Sequence, residues 1–178
     1  VGVDVVEFSR MLSRSLPNDR LMMEVEESEI ALNLEGDFSR AFHLPLIDVS
    51  ESEKELKLPN QNFDAKVEVN AHLLKEALKD AQLFGSSVVV KVKDGKFGLE
   101  AKGSSGALKT VSKQSHLIQV NATASATSKY SLNFLSNVVK EADNDSIILM
   151  EFKSDAPMRV TYHIGKAKMQ YYLAHMIL

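Results

Sequence analysis

The sequence contains no cysteine. That excludes a disulfide scaffold, any thiolate metal site and any thiol nucleophile, and it fits a reducing compartment. No apolar run approaches the ~20 residues needed to cross a bilayer, so no membrane-spanning helix is expected. Common catalytic signatures are missing too: there is no G-x-S-x-G elbow, no G-x-x-x-x-G-K loop and no G-x-G-x-x-G fingerprint. None of the histidines (His43, His72, His116, His163, His175) forms an i, i+4 pair around a glutamate, so the helical zinc signature is absent and no metal or other cofactor is expected. His43 and His163 are expected on strands. Carboxylates are plentiful but scattered. A cofactor-free hydrolase assembled only by folding would reveal itself as a deep pocket holding carboxylates of raised pKa.

What is present is ordinary globular material. The chain has 178 residues, is 44% hydrophobic and carries a formal charge of −3. This suffices for one domain or two small ones and excludes a disordered chain. The weakly acidic total argues against a simple basic nucleic-acid binder but leaves room for a local basic face. The first residue is Val1, no charged-then-apolar leader precedes it, and the chain opens directly on a helical pattern. No signal peptide is therefore expected, and the chain reads as one that begins inside a larger fold.

Val5, Phe8, Met11 and Leu12 recur at helical spacing behind Asp4, an N-cap type, and Pro17-Asn18-Asp19 stops the helix. Leu21 to Val25 reads as a buried strand. Ile30, Leu32 and Leu34 alternate with polar neighbours, and Phe38 to Leu46 reads as a third strand. Residues 48–62 are charged and short of periodic apolar residues, which marks a linker between residues 1–47 and 63–178. Phe63, Ala65, Val67 and Val69 alternate as a half-buried strand. Asn70 caps a helix with the stripe Leu73, Leu74, Ala77, Leu78, Ala81. Strands at 88–92 and 97–101 flank the hairpin signal Asp94-Gly95. Gly103-Ser104-Ser105-Gly106 reads as a mobile loop. Residues 107–112 read as a strand, and 117–130, rich in Thr, Ala and Val, as loosely joined strands. A third helix carries Leu132, Leu135, Val138, Val139 and Ala142, and three strands follow at 147–152, 158–164 and 169–174.

Three times, then, the chain reads helix, polar turn, three strands. Leu12, Leu78 and Val138 hold equivalent helical places, 66 and 60 residues apart. Such a period is too long for a solenoid and implies αβββ modules that set helices against sheets, an α+β architecture. The polar helix faces carry Glu7, Arg10 and Arg14, then Lys75, Lys79 and Gln82, then Asn133, Asn137 and Lys140. Sparse cations on helices of an acidic protein suit a sequence-independent, backbone-tracking DNA surface, although lysine on an exposed helix face is also ordinary solvation, and Glu76 and Asp80 weaken the field.

Four stretches, in order and spacing, resemble one family. They are Phe38-Ser39-Arg40 through Leu46-Ile47-Asp48; Leu56-Lys57-Leu58-Pro59; Leu83-Phe84-Gly85-Ser86-Ser87-Val88-Val89; and Asp155-Ala156-Pro157-Met158-Arg159-Val160 followed by Tyr171-Tyr172-Leu173-Ala174. The chain resembles the archaeal and eukaryotic sliding clamps of the proliferating cell nuclear antigen type, over the later three quarters or so of a full member.

The resemblance implies a DNA-clamp (processivity) fold: repeated helix-plus-antiparallel-sheet modules with helices lining a concave face. Residues 1–47 correspond to the C-terminal part of clamp domain one, 48–62 to the interdomain connector and 63–178 to domain two. It also implies a trimeric head-to-tail ring that encircles double-stranded DNA without catalytic activity. Such a ring tethers DNA polymerase, flap endonuclease, ligase and clamp loader through short peptide motifs, with no membrane partner. Localisation would be cytoplasmic, or nuclear in a eukaryote. By position, Arg10, Arg14, Lys75, Lys79 and Lys140 correspond to DNA-facing residues, while Ser13 and Asn133 stand where basic residues are common in the family. Leu56, Leu58, Pro157, Tyr172 and Ala174 correspond to the partner-peptide pocket, and His175 departs from the proline that usually follows. Phe38 and Phe42 on one edge, and Leu108 and Val111 on another, correspond to the subunit interface. Other readings are a non-encircling adaptor, a specialised subunit of a heteromeric ring, or the hydrolase above.

Overall fold

A computed structural model describes residues 1–49, 62–113 and 115–177. The chain divides into two compact units, Val1–Pro59 and Asn60–Leu178.

In the first unit, Asp4 accepts hydrogen bonds from the Val6 and Glu7 amides at 2.9 and 3.1 Å and so starts helix α1 (Val5–Leu12). Strands β1 (Arg20–Val25), β2 (Glu29–Glu35) and β3 (Ser39–Pro45) form an antiparallel meander in the order β1-β2-β3. Phe8, Met11 and Leu12 of α1 pack on Ile30, Leu32 and Leu44. The reading of Leu21 to Val25 as buried is corrected: every residue of β1 is exposed, Met23 by 56%. Register puts Leu21, Met23 and Val25 on the same face as Leu34, Leu32 and Ile30. The helix, however, lies over β3 at the other side of the sheet, so an edge strand with an apolar pattern stays uncovered among the described residues. Phe38 also falls outside its expected strand. It stays in the turn before β3 and is 79% exposed.

In the second unit, β4 (Ala65–Asn70) buries Ala65, Val67 and Val69 and exposes Lys66 and Glu68, as period-two alternation dictates. Asn70 caps α2 (Ala71–Gln82) through the Leu73 amide at 3.2 Å. Next come β5 (Ser87–Lys93), β6 (Lys96–Gly103), β7 (Gly106–Lys109), β8 (Ile118–Ala122) and β9 (Ala126–Ser131). Helix α3 (Leu132–Val139) leads to β10 (Ile147–Phe152), β11 (Met158–Ile164) and β12 (Ala167–Leu173).

Each helix is thus followed by a three-strand meander, but the strands before α2 and α3 are exchanged. Strand β4 joins the sheet β12-β11-β10-β4-β8, whereas β9 joins β7-β6-β5-β9. Helices α2 and α3 pack against each other and on both sheets, and one apolar core joins Leu74, Leu78, Leu135, Val90, Leu99 and Met150. The Tyr162 hydroxyl donates to the Val138 carbonyl at 2.8 Å and ties β11 to the end of α3.

Residues 103–106 form no loose loop, which corrects the sequence reading. Strand β6 runs to Gly103 and β7 begins at Gly106, so Ser104-Ser105 is a tight hairpin turn. Gly103 is required there because a Cβ would lie 1.8 Å from the Phe84 carbonyl, and Gly106 takes a φ of 139°. Beyond Lys109 the chain stays bonded to β6, the amides of Thr110 and Ser112 donating to the carbonyls of Leu99 (2.8 Å) and Phe97 (2.6 Å). The amides of Leu99 and Phe97 then donate to the hydroxyls of Thr110 (2.9 Å) and Ser112 (3.0 Å).

Candidate nucleic-acid interface

Of the cations carried by the helices, three converge. Lys75 and Lys79 lie one turn apart on α2, and Lys140 caps α3. Because the two helices pack side by side, these residues line one open groove with Gln82, Ser136 and Asn144. Gln82 Nε2 donates to Ser136 Oγ at 3.0 Å across the helix pair.

The cations are not equally available. Lys75 Nζ donates to the Ala142 carbonyl at 2.5 Å and to Asn144 Oδ1 at 3.0 Å, so it braces the turn after α3. Lys79 is 2.7 Å from Glu76, and Lys140 is 3.7 Å from Glu141. The hydrogen bond and charge of Lys79 lower the Glu76 carboxyl below its ordinary range. In the first unit Arg10 pairs with Glu7 at 2.8 Å, while exposed Arg14 follows α1 and lends its carbonyl to Arg40. Each unit therefore presents its own sparse set of largely solvated, half-neutralised cations. That suits contacts that must form and break quickly, since exposed pairs of this kind are worth little.

The described members of the expected partner-peptide pocket lie together at one end of the β11–β12 hairpin. Pro157 precedes β11, and Tyr172 and Ala174 lie at or just beyond the end of β12. Met158 faces Leu173, and Arg159 faces Tyr172 in register. Leu56 and Leu58 lie outside the described residues. The sequence reading missed what stands beside Tyr172. Glu151 is only 2% exposed, yet Arg159 Nε and Nη2 reach its Oε2 at 2.6 and 2.5 Å and Lys66 approaches its Oε1 at 3.4 Å. The Arg159 guanidinium also lies 4.8 Å from the centre of the Phe63 ring. Burial opposes its charge, but hydrogen bonds to Tyr172 and Glu151 hold its pKa above the ordinary value. The four residues Lys66, Glu151, Arg159 and Tyr172 occupy one row across four strands. Strand alternation marks each as outward-facing, but only the register makes them neighbours.

Two of the expected interface residues lie on sheet edges that pair with no further strand among the described residues. Phe42 is on β3, the edge of its sheet, and Leu108 is on β7, the edge of another. Both side chains are half-buried on the helix-covered face, where Phe42 packs near Leu32 and Leu108 near the main core. Val111, beyond β7, is 54% exposed. A three-strand sheet and a four-strand sheet thus each present unpaired backbone groups.

Among the described residues, both carboxyl groups that depart from their ordinary values, Glu76 and Glu100, are lowered. Glu76 is held down by Lys79, and Glu100 chiefly by its hydrogen bond to Lys91 against the opposing effect of burial. Among the described residues no group of three His, Asp or Glu side chains is placed to hold a metal, and no helix is long and apolar enough to cross a membrane.

The family model described as "Proliferating cell nuclear antigen, C-terminal domain" matches residues 57–177. The chain belongs to the proliferating cell nuclear antigen family. Relatives include the DNA polymerase sliding clamp of Pyrococcus horikoshii, 32% identical over 92% of this chain and 66% of the relative. The DNA polymerase sliding clamp of Thermococcus gammatolerans is 30% identical over 98% of this chain and 71% of its own length. The chain thus spans about two thirds of the length of curated relatives it matches. The crystal structure of the proliferating cell nuclear antigen from Thermococcus kodakaraensis superposes with a TM-score of 0.88 at 24% identity, over 97% of this chain and 72% of that one. The fold is accordingly the α+β clamp fold of this family.

Proposed function

We propose that this chain acts as a DNA polymerase processivity factor. In this reading it is a subunit of a trimeric head-to-tail ring that encircles duplex DNA, tethers replication and repair enzymes, and has no catalytic activity of its own. The observation that carries the reading is the α2–α3 groove, where Lys75, Lys79 and Lys140 form one shallow cationic surface on a helix pair. Sliding needs phosphate contacts that are weak and indifferent to sequence, and a topological link supplies the retention that local affinity does not.

Ring closure would join the β3 edge of one copy to the β7 edge of the next, with Phe42 and Leu108 meeting on the helix-covered face. Partner enzymes would insert an aliphatic and aromatic motif beside Pro157, Tyr172 and Ala174, with Leu56 and Leu58 of the 48–62 connector completing the pocket. The cellular location in this reading is the cytoplasm of an archaeal-type cell.

The test is primer extension on a singly primed circular template with an archaeal replicative polymerase, with and without the chain. Product length is expected to rise with the chain present. It is expected to fall back with Lys79→Glu/Lys140→Glu, and with Leu108→Asp, which should also sediment as monomer. Unchanged product length with the native chain, together with equal retention on linear and closed circular DNA, overturns the reading.

A further inference from the structure

The strongest basic feature of the protein is not on its helices. Residues 1–59 contain 13 acidic and 6 basic side chains, whereas residues 60–178 contain 11 acidic and 15 basic ones. The two units therefore carry opposite charge, about −7 and +4 by formal count.

The positive charge of the second unit gathers on the outward face of its four-strand sheet, away from the helices. Lys91, Lys93, Lys96 and Lys109 surround a groove whose floor is Gly98, with Asp94 and Glu100 as the carboxylates among them. Glu100 is already engaged, 2.5 Å from Lys91 and 3.8 Å from Lys109. Lys93 and Lys96 lie directly opposite each other in the β5–β6 register, and neither has an ion-pair partner among the described residues. Like charges at that position disfavour the hairpin. A local cost of this kind is expected where a partner supplies the missing countercharge. The groove adjoins Lys109 on β7, the free edge.

The outward face of the first unit is its complement. On β2 it carries Glu29 and Glu35, and on β1 Glu24, against Arg20 alone among fixed cations. On β3, the free edge, the outward positions are Ser39, Ala41, His43 and Pro45, short side chains apart from His43, which is held 2.7 Å from Glu29. Neighbouring strands lie about 4.8 Å apart. A lysine on a strand added beside β3 can therefore lie across Ala41 and Ser39 and reach the carboxylates of β2 one strand further in.

From this charge polarity we propose that the β7 edge, with Lys109 in reach and the field of Lys91, Lys93 and Lys96 behind it, is a docking surface for the acidic outward face of β2 and β3 in a second copy of this chain. The pairing sets the direction of assembly. Head-to-tail contact joins opposite charges, while head-to-head or tail-to-tail contact opposes like ones. The proposal rests on the ring reading and adds what selects its polarity. It makes subunit association salt-sensitive in a way that the apolar contact of Phe42 with Leu108 would not.

The test is sedimentation velocity over a concentration series at low and high salt. It uses the native chain, Lys96→Glu/Lys109→Glu, Glu29→Lys/Glu35→Lys, and the chain carrying all four reversals, with circular dichroism confirming that each is folded. All four sites are exposed or half-buried on sheet surfaces. Each double reversal is expected to weaken association at low salt by about tenfold or more, and the fourfold reversal to restore it to within about threefold of native. Raising the salt should weaken the native assembly and shrink the differences between variants. A native chain that stays monomeric throughout overturns the ring reading and this proposal together. A native chain that associates while the double reversals associate equally well, or while the fourfold reversal gives no rescue, overturns this proposal alone. In that case, binding of the lysine groove to an acidic peptide or to duplex DNA would be the alternative to pursue.

Discussion

Replacing Arg159 by leucine leaves Glu151 as a nearly buried carboxylate without its main partner. Native Glu151 takes two short contacts from Arg159, 2.6 and 2.5 Å, while Lys66 stands at 3.4 Å with a side chain 58% exposed. Stripping one member from a buried ion pair costs roughly 3–5 kcal/mol, because the remaining charge has lost its water and its partner together. Here Lys66 remains, and the Arg159 side chain is itself 29% exposed, so water can enter the vacated space. Both effects lower the expected loss to roughly 2–3 kcal/mol. For a unit of this size that corresponds to a fall in melting temperature of about 10 °C.

The decisive comparison is Glu151→Leu/Arg159→Leu, which removes both charges. Apolar side chains in place of the pair should bring stability back to within about 1 kcal/mol of native. Urea unfolding of the native chain, both single variants and the double variant gives the coupling energy directly. A single Arg159→Leu loss below about 1 kcal/mol, or a double variant less stable than Arg159→Leu, would refute the view that Glu151 depends on Arg159. Arg159 also faces Tyr172 across the β11–β12 pair and interacts with it electrostatically, so the same variant should loosen the Tyr172 side of the proposed peptide pocket.

Two further expectations follow from packing and ionisation. Gly103→Ala places a methyl group against the Phe84 carbonyl, which must shift, and should cost about 1–3 kcal/mol in chemical unfolding without altering α2 or α3. Burial pushes the Tyr130 phenol up to about 12 from an ordinary value of 10, and its hydroxyl donates to the Ala156 carbonyl at 2.8 Å. Above pH 10 the unfolded chain releases this proton before the folded one does, so stability should be intact below pH 10 and fall between about 10 and 12, by roughly 2–3 kcal/mol in all. Tyr130→Phe should flatten that part of the profile in pH-dependent unfolding.

Local pattern specified the elements of this protein. Asp4, Asn70 and Ser131 are capping residues before apolar stripes, and each begins a helix. Alternation at Ala65-Val67-Val69 specifies a strand and its buried face, and Asp94-Gly95 a hairpin, because these signals depend only on near neighbours. The threefold order of helix followed by three strands was legible for the same reason, as was the placement of Lys75 and Lys79 on one helical face. Exposure was less legible. Leu21, Met23 and Val25 carry a buried pattern that α1, placed over β3, leaves uncovered. The Gly103-Ser104-Ser105-Gly106 segment looked loose because the Phe84 carbonyl that demands Gly103 comes from a separate turn.

Only the tertiary structure decided that β4 pairs with β10 and β9 with β5, because the paired residues lie at least 77 and 34 positions apart along the chain. That exchange brings α2 against α3 and so carries Lys140 to the groove of Lys75 and Lys79. It also aligns Lys66, Glu151 and Arg159, whose attraction exists only once three strands lie side by side. Helix and strand follow from spacing along the chain, whereas a charged groove or a buried ion cluster needs groups from distant segments within a few ångströms, and folding alone supplies that proximity.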